Sequence, residues 1–366
     1  MDKKVLLISH EFPPVVGGAG VVAEEMATHL STNEIKVTVV TNKLKVPRNN
    51  GETFNLIDVK TIPKIRFVSY WRQLKKIDLK DFDKIIINDI GAALVASLFF
   101  KKTLQEKCIV FLHGSEPEDI FLKNKFSLLR FKKKYISLLE NASAIVSVSQ
   151  FMKDRFITVS GLERIKNKIT VVYNGIDLSA FEIENRSIRD RYGIKQNDKI
   201  LLTVSRVVEG KGYKEMYKIF SRLLHRNPHF HWVIVGEGNY LNELKVLIKK
   251  DFLEDHITLV GKVNREKLNI YYSSADIFWL LSNFQEAFGL VYLESLACGT
   301  PVIGRNSAGV KEIIINNVNG FLINSNEECL DILLNLNKYP MDEIKLRNYS
   351  QKFNLEKSIE TIAGMI

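Results

Sequence analysis

Residues 283–304 read NFQEAFGLVYLESLACGTPVIG. The stretch follows the apolar run DIFWLLS, passes through a loop, enters a helical segment near Gly289 and reaches the short run PVIG. Strand, loop, helix and strand in that order make one unit of a parallel α/β sheet. Two carboxylates lie within it, eight positions apart: Glu286 in the loop, and Glu294 among Leu290, Val291, Tyr292, Leu293, Leu296 and Ala297. An ionised carboxylate taken out of water without a partner is costly enough to be neutralised or avoided. Glu294 therefore sits at an exposed edge or is met by something polar. Its place about one turn into the helix lets it reach a pair of ligand hydroxyls, and that reading is preferred here.

The same alternation extends both ways along the chain. In the first half the strand candidates are KVLLIS, KVTVVT, DKIIIND, CIVFLH, AIVSVS and ITVVYN, with helical stretches such as 19–31 and 91–103 between them. The pattern restarts at KILLTVS and runs through HWVIVGEG, ITLVG, DIFWLLS, PVIG and GFLIN. The expected fold is α/β, with two doubly wound Rossmann-like domains facing across a cleft. The first domain is expected over 1–178, a polar linker over 179–196, the second domain over 197–348 and a closing helix over 349–366. Asn174, Gly175 and Asp177 suit a turn at the junction.

In such sheets ligands bind beyond the carboxyl ends of the strands, where loops enter helix N-termini. Arg206 and Lys211 in SRVVEGKG follow the first strand of the second half, and two cations there suit a diphosphate. A solvated loop with Gly210 and Gly212 as turn residues is the alternative. Across the loop, Gly289 lets a ligand approach the backbone, and the amides of Gly289, Leu290 and Val291 at the helix start favour an anion. Diphosphate at the helix start, ribose at Glu294 and a hydroxyl-rich group near Glu286 together describe a nucleoside-diphosphate sugar.

Composition permits this and excludes other classes. The chain has 366 residues, 46% apolar and 26% charged, which is globular and long enough for two cores. Cys108, Cys298 and Cys329 are far apart and lack metal-ligand spacing, as in a reducing compartment. The N-terminal apolar run is too short for a signal peptide, and IGAALVASLFF is too short to span a bilayer. A soluble cytoplasmic protein is expected. The net charge of +10 attracts anions, yet the lysines are scattered and no nucleic-acid motif is present, so nucleic acid is not an expected partner. GGAGVVA (17–23) imitates a dinucleotide fingerprint. However, HEFPPVV separates it from the strand, and the next strand ends in Asn42 where an acid is wanted. NAD(P) is therefore disfavoured.

The block EAFGLVYLESLACGTPVIG, the spacing of Glu286 and Glu294, SRVVEGKG and IVGEG resemble the GT4-type family of retaining glycosyltransferases with the GT-B fold. HEFPPVVGGAG, FLHG, IVSVSQ and VVYNGID extend the likeness over nearly the whole chain. The resemblance implies that Arg206, Lys211 and Gly18 contact the donor diphosphate, with backbone at Gly289, Leu290 and Val291. It places Glu294 on the ribose, and Glu286, Phe288 and Gly289 against the donor sugar. Gly236, Lys262 and Val263 fall where the base docks. His113, ending CIVFLH, is implied to touch the transferred sugar; together with Glu286 it is the candidate catalytic group. The last helix is implied to pack back on the first domain.

The activity so implied is retaining transfer of a hexose-type sugar from a UDP-sugar, or secondly GDP-mannose, to a hydroxyl of a glycan or lipid-linked acceptor. No cofactor or metal is expected. Asp81 and Asp83 in DFD mimic the metal motif of other glycosyltransferases but precede a strand. A non-catalytic nucleotide-sugar-binding subunit and an epimerase of the same fold are the rivals. The segment 121–140, FLKNKFSLLRFKKKYISLLE, carries six basic residues and no acid before Glu140. It reads either as a helix contacting an anionic membrane, at the inner face, or as a half-buried helix with a solvated basic edge.

Overall fold

The computed structural model describes all residues except 1–2, 14–16, 33–34, 44–52 and 186. The chain divides into two units, residues 1–174 with 356–366 and residues 175–355. Each is built on a parallel sheet.

The first sheet contains β1 (Lys4–Ile8), β2 (Lys36–Asn42), β3 (Asn55–Val59), β4 (Lys84–Ile87), β5 (Cys108–Leu112), β6 (Ala144–Ser147) and β7 (Ile169–Val171). Their spatial order is β3-β2-β1-β4-β5-β6-β7, all parallel. Val5, Leu6, Leu7 and Ile8 are fully buried, because helices cover both faces of the sheet, and this is why such strands read as unbroken apolar runs. β3 was not expected. It is an edge strand, half exposed, with Asn55 and Asp58 among its five residues, so it lacks the apolar run that marks the inner strands.

The second sheet contains β8 (Lys199–Val204), β9 (Phe230–Val235), β10 (Ile257–Gly261), β11 (Ile277–Leu280), β12 (Val302–Arg305) and β13 (Gly320–Ile323), ordered β10-β9-β8-β11-β12-β13. Trp232 and Trp279 meet edge-on at its centre, ring centroids 5.0 Å apart. Thr203 supplies the polar link beneath them. Its hydroxyl accepts from the Trp232 indole N–H (3.0 Å) and donates to the Trp279 carbonyl (2.9 Å). In each sheet the strand order reverses beside the first strand, between β1 and β4 and between β8 and β11, which is where ligands of doubly wound sheets collect.

The unit boundaries differ from the sequence reading in two places. Residues 179–196 belong to the second unit and form no separate linker. Phe181 is fully buried in that core. Glu184 and Ile188 donate their amides to the hydroxyls of Ser273 (3.0 Å) and Ser274 (3.1 Å), and Arg347 donates to the carbonyls of Leu178, Phe181 and Ala297. The segment is polar because side chains serve its backbone, not because it hangs in water. At the other end the return to the first unit falls after Leu355, not at 349. Phe353 stays behind, packed on Phe288 (centroids 5.5 Å), while Ser358 in helix Leu355–Ala363 donates to the Tyr173 carbonyl of the first unit (2.8 Å).

The basic segment is not one helix. A π-type turn (Pro117–Leu122) and a 3-10 turn (Ser127–Leu129) precede helix Phe131–Asn141. Asn124, Phe126 and Arg130 take positive φ of 47°, 61° and 51°, and three side-chain-bearing residues in that region break helical continuity. Helix Phe131–Asn141 itself buries Phe131, Tyr135, Leu138 and Leu139, as a half-buried helix should.

Candidate functional site

The loops after β8, β9, β10 and β11 converge because their backbones are bonded to one another. Asn283, past β11, donates its amide to the Gly210 carbonyl past β8 (2.8 Å). Val207 donates to the Glu237 carbonyl past β9 (2.9 Å), and Gly236 donates to the Gly261 carbonyl ending β10 (2.8 Å). Glycines make this contact possible, Gly212 among them. Gly212 has φ 79°, and a Cβ there would lie 2.0 Å from the Leu281 carbonyl oxygen. The sequence-nominated residues Arg206, Lys211, Gly236, Lys262, Val263, Glu286 and Gly289 thus gather at the carboxyl edge of adjacent strands. Arg206 and Lys262 are exposed and Val263 is half-buried.

Lys211 does more than supply charge. Its Nζ lies 2.6 Å from Glu286 Oε1, with both side chains mostly buried (15% and 18% exposed). The cation expected at the diphosphate and the carboxylate expected at the sugar therefore hold one another. Helix Leu290–Ala297 follows, with Gly289 at its N-cap, φ 108° and no side chain capping it. Leu290 and Val291 are half-buried in its first turn. The Tyr292 ring lies under Gly289, where a Cβ would meet it at 2.8 Å, and its hydroxyl donates to the Leu280 carbonyl (2.6 Å). That bond pins the helix start to the end of β11. The Phe288 ring is buried, so any contact it made with a ligand would be through its backbone.

Glu294 corrects the sequence reading. It is 5% exposed, but it does not wait for a ligand to satisfy it. Tyr272 donates its hydroxyl to Oε2 (2.8 Å), and Arg265 donates Nε and Nη2 to Oε1 (both 3.2 Å). Protein groups make the carboxylate tolerable there. Tyr272 and Arg265 escaped sequence reading: they lie 22 and 29 residues upstream, and only β-sheet topology brings them to the helix.

In the first unit the corresponding edge carries His113, past β5. The amide of Asn88 settles its tautomer. Asn88 Nδ2 donates to the Ala19 carbonyl and to Ser9 Oγ (both 2.9 Å), which leaves Oδ1 toward His113 Nε2 at 3.0 Å. Nε2 must then carry the proton, and Nδ1 is the acceptor. Burial brings the His113 pKa down to about 4, against a smaller upward pull from Asp89, so the ring is neutral at pH 7. Glu116 is buried too and receives the amides of His113 (3.2 Å) and Gly114 (2.8 Å). Burial raises its pKa, partly offset by those amides. Asp89 caps helix Ile90–Phe99 through Ala92 N–H (2.8 Å), and its other oxygen accepts from Ser9 Oγ and the amides of His10 and Glu11. Asn88, Asp89 and Glu116 had no sequence signal beyond being polar after a strand.

The remaining candidates separate cleanly. Gly18 opens helix Gly18–Thr32 and is exposed; among the described residues nothing lies within 4 Å of where its Cβ would be. Gly20 instead packs on the Glu11–Phe12 backbone, where a Cβ would make contacts of 3.1 Å. Asp83 spends its carboxylate on the Lys4 amide (2.8 Å). Among the described residues no group of three or more His, Cys, Asp or Glu is placed to hold a metal ion. Nor, among them, is any helix long and apolar enough to cross a membrane.

Comparison with known proteins identifies the family of the chain. Residues 184–353 match the family model of glycosyl transferases group 1, and residues 16–180 match that of glycosyltransferase family 4. The alpha-monoglucosyldiacylglycerol synthase of Streptococcus pneumoniae is 25% identical over 87% of this chain and 75% of that protein. The N-acetyl-alpha-D-glucosaminyl L-malate synthase of Bacillus anthracis is 25% identical over 84% of this chain and 81% of its own. In fold, the chain superposes on Anabaena HepE, crystallised with UDP and glucose, with a TM-score of 0.81 and 20% identity over 99% of this chain and 98% of the other.

Proposed function

The chain belongs to the GT4-type glycosyltransferases, and from that premise we propose retaining transfer of a hexose-type unit from a nucleoside-diphosphate sugar to an acceptor hydroxyl. UDP is the first choice of nucleotide and GDP the second. The observation that carries this reading is the Lys211–Glu286 pair set beside an uncapped helix start, with Glu294 inside that helix. An incoming diphosphate competes for Lys211 and releases Glu286 to a sugar hydroxyl. Arg206, Lys211 and the amides of Gly289, Leu290 and Val291 stabilise the negative charge that grows on the leaving diphosphate. Glu286 orients the sugar and does not attack it. The C1–phosphate bond breaks as the acceptor oxygen bonds C1 from the same face, and the departing phosphate oxygen takes the acceptor's proton. No metal has a part in this scheme. Gly18 and neutral His113, on the first unit, serve the donor phosphate and the transferred sugar, and Gly236, Lys262 and Val263 serve the base.

A lipid-linked acceptor at the cytoplasmic face of a membrane is favoured over a free glycan by one observation. Leu122, Phe126 and Leu128 are 63%, 43% and 99% exposed, amid Lys123, Lys125, Arg130, Lys132, Lys133 and Lys134. Apolar side chains among cations suit an anionic bilayer surface. Binding to anionic vesicles that survives in Leu128→Ser would count against it.

Titration calorimetry with UDP, GDP and NAD⁺ in chelator tests the donor reading. UDP or GDP is expected to bind, and NAD⁺ is not. Glu286→Ala should then lower transfer far more than nucleotide affinity. Equal losses in both would leave Glu286 a binding residue only, and nucleotide binding without any transfer would favour the non-catalytic subunit.

A further inference from the structure

We propose that Arg265 and Tyr272 are positioning residues that set the ribose selectivity of the donor site by gripping Glu294 from two sides. The inference rests on the assignment of Glu294 to the donor ribose and extends it to residues with no assigned role.

A carboxylate oxygen offers two lone-pair directions. Two Arg265 nitrogens meet Oε1 at 3.2 Å each, and the Tyr272 hydroxyl meets Oε2 at 2.8 Å. Oε1 is thus filled and Oε2 keeps one free direction. With Oε1 held by Arg265, the remaining direction of Oε2 is the one that a ribose hydroxyl would use.

The two grips differ in freedom. Tyr272 is fully buried, whereas the Arg265 side chain is 31% exposed. Tyr272 is the fixed jaw and Arg265 the adjustable one. Both rest on a common plate, the buried Phe181 ring. The Arg265 guanidinium lies over it at 5.0 Å from the centroid, and the Tyr272 ring meets it edge-on at 6.2 Å. Such a cation–π seat holds the guanidinium against the Phe181 ring. The carboxylate accordingly presents one rotamer, and its charge-assisted bond to a sugar hydroxyl discriminates diol from deoxy sugar.

The test compares the nucleotide that the wild type binds, UDP or GDP, with its 2′-deoxy and 3′-deoxy forms. Wild type should prefer the ribonucleotide by about tenfold over at least one deoxy form, a typical effect for a hydrogen bond to a charged group. In Arg265→Gln that preference should fall several-fold, with donor KM raised about tenfold and kcat within about threefold of wild type. Tyr272→Phe keeps the ring on Phe181 and should act in the same direction. Arg265→Lys, which keeps the charge without the two-nitrogen grip, should restore the preference only in part. A merely structural role would lower thermal stability and leave the preference intact. Retention of the wild-type ratio in Arg265→Gln overturns the proposal; because that side chain is half-exposed, this arm stands even where Tyr272→Phe fails to fold. Failure of the folded wild type to bind either nucleotide overturns the donor assignment itself, and the two failures are told apart by that first titration.

Discussion

Both sheets crowd polar groups at their carboxyl edges, but the two edges are wired differently. In the first unit the central carboxylate, Asp89, is buried and receives three backbone amides and one hydroxyl, all from residues 9–11 and 92. In the second unit Glu286 and Glu294 are met by the ends of side chains, Lys211, Arg265 and Tyr272. A backbone amide cannot leave its acceptor without moving the loop that carries it. A lysine or arginine tip can leave by rotating. The first edge is therefore built as a scaffold, and the second, on the proposed reading, lets Lys211 exchange its internal partner for a ligand.

The largest effect that could break this contrast is expected from Asp89→Ala. Three backbone amides lose their acceptor, each unmet buried group costing about 1–3 kcal/mol, while Ser9 Oγ keeps the Glu11 carbonyl. Relaxation and water entry recover part, leaving about 4 kcal/mol of lost stability in denaturant titration. Nucleotide binding by the second unit should be unchanged; a weakened Kd would show that the two edges are not separable.

Acid comes next and touches both units. Burial holds His113 in the first unit and His231 in the second at a pKa of about 4. The unfolded chain protonates these rings near 6.5 and the folded one only near 4, so stability is full above about pH 6.5 and falls as pH drops toward 4. Each ring contributes up to about 3 kcal/mol over that window. A flat stability profile from pH 7 to 4.5 would refute the burial assigned to both.

A smaller change in stability is expected from Glu286→Gln. A mostly buried but exchangeable ion pair should cost about 1 kcal/mol, while transfer falls by about 100-fold. Loss of several kcal/mol would place Glu286 with Asp89 as scaffold. The smallest effect has the opposite sign. Gly18→Ala meets no atom among the described residues and opens a helix, so it should stabilise by a few tenths of a kcal/mol. On the role proposed for Gly18, transfer should nevertheless fall, because a Cβ would take room meant for the donor phosphate. Full activity in this variant would remove Gly18 from the site.

The contrast between the edges also explains what could be read from sequence. Inner strands announce themselves because both faces are covered, as in KVLLIS and CIVFLH; β3, at the edge with Asn55 and Asp58, did not. Backbone-directed features such as Gly289 before a helix are local and legible. Partnerships between side-chain ends are not, since the Tyr272 and Arg265 grip on Glu294 depends on how β10 and β11 are placed in the sheet. Glu294 stands out in the sequence as an anomaly, and protein groups distant in sequence, not ligand hydroxyls, make it tolerable. The break in 121–140 was hidden for a related reason: the positive φ values fall on Asn124, Phe126 and Arg130, of which only asparagine is a residue that hints at them.

The two places where the chain passes between units lie next to each other. Ile176 donates its amide to the Phe353 carbonyl (2.9 Å) and accepts that of Leu355 (3.1 Å), so the second unit begins and ends at one spot. In topological terms it is a closed insert, spliced into a host whose own sequence resumes only for a final helix. Such an insert can be excised or circularly permuted with little strain, because its termini already meet. The host has no such freedom: shortened at Asn174, it loses the helix Leu355–Ala363 that completes it. The unit that carries Glu286 and Glu294 is thus the portable part of this molecule, and the unit that carries His113 depends on receiving its last segment from beyond it.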